Sequence, residues 1–188
     1  NWSIIKSLFS RLLDYEPGTT NLVPDLATEM PEISEDGKTF TFTLRDDVVF
    51  HNGRTLTADD VKYSIERAVN PKTQGPGAGF FASIVGFDDA AAGKTTDISG
   101  IVVNSPTSIT FNLSRPDATF LHVMAINFAS VVPKEEAEKL ASNYNVMYLT
   151  FLVEELKVAL EKKLAAFDDE QTEPVLVLSK QTTEQKTP

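Results

Sequence analysis

Residues 36–70 constrain the fold more than any other stretch, because a tight turn, an alternating strand, a second tight turn and a capped helix follow without a spare residue. In Thr39-Phe40-Thr41-Phe42-Thr43-Leu44 the apolar side chains share one face and the threonines the other, since side chains alternate with period two along a strand. Ser34-Glu35-Asp36-Gly37 ahead of it carries the Asp and Gly of a tight turn. That makes residues 30–33 the partner strand of a hairpin. After it, His51-Asn52-Gly53 reads as a turn, and Thr57 as an N-cap with Asp59 and Asp60 near the positive end of the helix dipole. Val61, Ile65, Ala68 and Val69 form one apolar stripe, and Asn70-Pro71 ends the helix.

Elsewhere the pattern predicts helix over residues 1–13, from Trp2, Ile5, Leu8, Phe9, Leu12 and Leu13, and a loop over 14–20 with Pro17 and Gly18. Residues 71–79 hold the densest cluster of Pro and Gly and read as a surface loop. A phosphate cradle would need a lysine and a hydroxyl after the last glycine, where Phe80 and Phe81 stand. A helical turn is expected over 86–93. A second hairpin follows, burying Ile101, Val103, Ile109, Phe111 and Leu113 around Asn104-Ser105-Pro106-Thr107. Ser114 is expected to cap a helix bearing Phe120, Leu121, Val123, Met124 and Ile126. The fold class is α+β: an antiparallel or mixed sheet of two hairpins with packed helices.

This string of elements resembles the extracytoplasmic solute-binding proteins, family 5, of ABC importers for oligopeptides, dipeptides and nickel. The likeness runs through Leu8-Phe9-Ser10-Arg11-Leu12-Leu13 and Leu22-Val23-Pro24-Asp25-Leu26-Ala27, which look like a lobe-entry helix and a Pro-bearing link. It continues to Val131-Val132-Pro133-Lys134, similar to the family's strand-to-helix step, and covers roughly residues 8–140. The resemblance implies that residues 1–140 form the smaller lobe of a periplasmic binding protein. It further implies a chain that works outside the cytoplasmic membrane, periplasmic or extracellular, anchored by a lipid on an N-terminus upstream of this sequence. The implied ligands are short peptides, with a nickel chelate the less favoured class, and the implied partner is an ABC permease served by a monomer. The alternative is a non-binding structural or interaction module built from the same lobe.

Beyond residue 140 the motif likeness fades. An amphipathic helix is expected over 152–167, a strand over 175–178 and a polar tail after it, so 141–188 is set apart as an atypical segment.

Chemistry-bearing residues are few. The 188-residue chain has a net charge of −10 and no cysteine. That excludes thiolate metal sites and disulfides and argues against nucleic acid as a partner. No apolar run reaches the ~18 residues of a membrane span. His51 and His122 are assigned to a turn and to an apolar helix face. The Asp pairs at 46–47, 59–60, 88–89 and 168–169 cannot act as paired catalytic carboxylates, because adjacent side chains point to different faces. No Gly-x-Ser-x-Gly elbow occurs. No cofactor and no enzymatic activity are expected. The one candidate ligand-binding residue is Trp2, which also falls on the apolar stripe of the first helix.

Overall fold

A computed structural model describes residues 8–140. Trp2 and the helix, strand and tail expected within 141–188 lie outside the described residues.

The main element is a four-stranded antiparallel sheet ordered β3-β4-β6-β5, made of β3 (Glu32–Ile33), β4 (Thr39–Thr43), β5 (Ile101–Ser105) and β6 (Ser108–Asn112). Both expected hairpins are present, and the two inner strands β4 and β6 come from different hairpins, with Phe40 opposite Phe111 and Phe42 opposite Ile109. The first turn closes because Gly37 takes φ 68°, a left-handed value open to glycine without steric cost. Asp36 accepts the Ser34 hydroxyl at 2.6 Å and the Lys38 N–H at 3.1 Å, and these bonds hold its carboxyl below the usual range. The second hairpin turns more tightly than expected: Asn104 and Ser105 stay in β5, with an irregularity between Val103 and Ser105, and only Pro106 and Thr107 lie between the strands.

One sheet face is apolar. Phe40, Phe42, Ile109 and Phe111 are buried there with Val61, Ile65, Ala68 and Val69 of α1 (Ala58–Val69). The rings of Phe40 and Phe111 meet Phe120 of α3 (Phe120–Val123) at 4.8 and 5.5 Å. On the opposite face the threonines join hands, Thr41 Oγ1 lying 3.0 Å from Thr110 Oγ1. α1 starts in a capping box, Asp60 accepting the Thr57 N–H at 2.9 Å, and stops at Asn70. A short α2 (Phe87–Ala91) fills the expected helical turn, and α4 (Lys134–Leu140) closes the described chain. The loop at 71–79 contains a 3-10 turn, Pro71–Thr73, and runs into a second, Ala78–Phe81; Gly77 lies under Phe128, where a Cβ would come within 2.3 Å of the ring.

Three local expectations are corrected. Within the described residues the first helix reaches only Leu8, and Leu13–Tyr15 forms β1, antiparallel to β2 (Leu22–Pro24). The loop expected over 14–20 shrinks to the connection between them. Apolar residues at helical spacing here serve a bend and a strand, since Leu12 and Leu13 both insert into the main core. Secondly, Ser114 does not cap α3: its hydroxyl donates to the Ser83 carbonyl at 3.1 Å, while Asp117 accepts the Thr119 N–H at 2.9 Å. Thirdly, Val131 and Val132 are buried but join no sheet, and Val131 donates its N–H to Ser10.

Candidate functional site

Arg54 joins three elements. Its two terminal nitrogens lie 2.8 and 2.5 Å from the two Asp60 oxygens at the start of α1, and its Nε donates to Glu135 of α4 at 2.7 Å. Asn52 adds a bond to the same Glu135 oxygen at 2.8 Å, and the Phe50 ring centroid sits 5.0 Å from the guanidinium carbon. The bonds to Asp60 and Glu135 push the Arg54 pKa up. The Arg54 hydrogen bond brings Glu135 down from 4.5 to about 2. Beside this clasp lies a small apolar hollow of about 130 Å³, lined by Phe9, Leu26, Val48, Phe50 and Val131 among others. The chemistry is structural: one guanidinium ties Asp60 of α1 to Glu135 of α4, which suits a fixed joint.

Between α1 and α4 lies a wider cleft of about 420 Å³. Tyr63 and Arg67 line it from α1, Asn70, Lys72 and Thr73 from the helix end, and Lys134 and Glu138 from α4. Tyr63 is half-buried, and burial raises its pKa; the Lys134 ammonium stands 5.7 Å from its ring centroid. Glu66 is pushed up by burial, although it accepts the Ile98 N–H at 3.0 Å and faces Lys62 at 3.7 Å.

The β1–β2 ribbon is anchored separately. Arg11, 1 % exposed, donates to Asn127 Oδ1 at 2.7 Å and lies 3.4 Å from Asp14, while its backbone N–H reaches Asp25 at 2.9 Å. At the far end Tyr15 Oη and His122 Nδ1 are 3.0 Å apart with their rings stacked. His122 is therefore exposed and paired to the ribbon, a correction to its placement on an apolar helix face. His51 lies in its turn, exposed, as expected.

The Asp pairs diverge in space. Asp60 is buried against Arg54 while Asp59 is exposed, Asp47 binds Arg45, and Asp89 binds Lys94; Asp168 and Asp169 lie outside the described residues. Among the described residues no three His, Asp or Glu side chains gather in a way that could hold a metal ion. None of their helices is long and apolar enough to cross a membrane. Sequence reasoning passed over Arg11, Arg54, Tyr63 and Glu135, whose partners lie up to 116 residues away. The one local hint was Asp60 three positions after Thr57, the spacing of a capping box.

Comparison with known proteins places this architecture. Residues 21–174 match the family model of bacterial extracellular solute-binding proteins, family 5 Middle, a span that continues past residue 140. The chain is 38% identical over 142 residues to the dipeptide-binding protein of Escherichia coli (strain K12), covering 70% of this chain and 25% of that protein. It is 36% identical over 141 residues to di/tripeptide-binding protein 4 of Pseudomonas aeruginosa (strain UCBPP-PA14), covering 72% and 26%. Among solved structures, the unliganded open form of the periplasmic murein tripeptide-binding protein MppA superposes with a TM-score of 0.68 at 31% identity, covering 73% of this chain and 27% of that one. Listeria monocytogenes OppA bound to peptide gives 0.68 at 25% identity, covering 75% and 28%. The chain spans about a quarter of the length of the curated relatives it matches. It belongs to the bacterial extracellular solute-binding proteins of family 5.

Proposed function

We propose that this chain is the small-lobe portion of a substrate-binding component that captures short peptides outside the cytoplasmic membrane and hands them to an ABC permease. The observation that carries the reading is the family match over residues 21–174, together with close relatives whose names specify dipeptides and di- or tripeptides. A nickel chelate is the less favoured ligand, since none of those relatives is named for a metal. Binding, not catalysis, is the role this reading assigns, as the family of solute-binding proteins suggests. Residues 1–140 act as the lobe, and 141–188 as a segment of separate character. In such proteins the ligand is enclosed as two lobes close, so a quarter-length chain offers one wall of that enclosure. The second reading is a lobe-derived module that binds no solute.

Thermal unfolding of the whole chain with pooled di- to hexapeptides, and separately with nickel, tests both. Ligand at a hundredfold over its dissociation constant adds ~2.7 kcal/mol and raises the midpoint by several degrees in a domain of this size. A peptide shift without a nickel shift supports the importer reading; an unmoved cooperative transition supports the module.

A further inference from the structure

We propose that the cleft between α1 and α4 binds a small carboxylate-bearing solute, the size of an amino acid or a dipeptide. This goes beyond the reading above, in which ligand is enclosed between lobes, because every group invoked belongs to this one lobe.

Size is the first argument: about 420 Å³ falls within the range of pockets that bury small ligands. Charge is the second. In a chain with a net charge of −10, this lining carries three cations, Arg67, Lys72 and Lys134, against two carboxylates, Glu66 and Glu138. Both carboxylates already face cations, Glu66 meeting Lys62 at 3.7 Å and Glu138 meeting Lys134 at 3.8 Å. The surplus positive charge therefore lies at the end of the cleft where α1 stops. There Arg67 lies near the Tyr63 hydroxyl, and the Lys72 ammonium has no ion pair or hydrogen bond among the described residues. Asn70 is the third element. Its side-chain oxygen accepts the Lys72 N–H at 3.0 Å, so the donor-rich amide is fixed at the cleft end beside Lys72. A carboxylate set against Lys72 and Asn70 would have its organic part along the half-buried Tyr63 ring, which the Lys134 ammonium also approaches.

Amide NMR of the isotope-labelled full chain, titrated at low ionic strength with N-acetylglycine and with glycylglycine, tests this. The expected result is a saturable shift confined to amides of residues 63–73 and 134–138, weakened about tenfold or more in Lys72→Glu by loss of attraction plus added repulsion. Arg45→Glu, at an exposed arginine paired to Asp47 in the loop after β4, leaves it unchanged. The proposal is overturned by shifts that do not saturate or that spread over the surface. It is equally overturned by an unaltered affinity in Lys72→Glu, or by equal binding of N-acetylglycinamide or of inorganic phosphate. Peptide stabilisation in the unfolding assay that survives Lys72→Glu belongs to the interlobe face, so the two readings fail independently.

Discussion

The four-stranded sheet and the β1–β2 ribbon are both antiparallel, but different forces hold them. In the sheet, Phe42, Ile109 and Phe111 have no exposure and pack in one layer against α1 and α3, so apolar burial fixes the register. The ribbon has three residues per strand and the polar Asp14 in its middle. It is set in place from its root, where buried Arg11 bonds Asn127 and lies near Asp14, and from its tip, where Tyr15 meets His122. A short two-stranded element cannot stand alone in water. Its conformation is therefore borrowed from the body it docks on, whereas the sheet supplies its own.

The largest test of that contrast is Phe111→Ala, which removes the ring shared by Phe42 and Phe120. A loss of ~3 to 5 kcal/mol in urea unfolding is expected, with the whole domain losing cooperativity together. Arg11→Met keeps the volume and removes the charged hydrogen bond to Asn127; a loss of about 2 kcal/mol is expected. Hydrogen exchange should speed at the ribbon amides before the sheet amides. If sheet and ribbon amides accelerate alike, the two regions form one cooperative unit and the contrast is broken. Tyr15→Phe deletes only the bond to His122 and is expected to cost about 0.5 to 1 kcal/mol, again read at the ribbon amides.

The smallest effect concerns pH. Glu135 falls from 4.5 to about 2 in the folded chain, so its contribution is fully present above pH 4.5 and is lost as pH falls through about 2. Its side chain is 38% exposed, which screens the ion pair and limits the contribution to under about 1 kcal/mol. Glu135→Gln should therefore flatten the acid limb of the stability curve between those values while leaving the sheet amides at neutral pH as protected as before.

Legibility followed the same division. Period-two alternation in residues 39–44 and the stripe of α1 were readable because each records, within ten or so residues, which face is buried. The capping aspartate was half-readable: Asp60 does reach back to Thr57, but the same carboxylate also holds Arg54, and nothing local announces that. Helical spacing through Leu12 and Leu13 misled, because apolar residues spaced for a helix serve equally well in a bend followed by a strand that enters a core from its edge. Ser114 misled differently. A serine before Pro-Asp suits a cap, but the Ser83 carbonyl stood closer in space.

By itself, then, the chain determined its two hairpins, the long helix between them and, through the order of those elements, its family, since these depend on turn residues and on periodicity over short distances. Tertiary structure alone decided the ribbon, the Arg54 clasp and the charged cleft between α1 and α4. Each of those unites groups far apart in sequence, and an interaction between distant residues leaves no periodic trace on either of them.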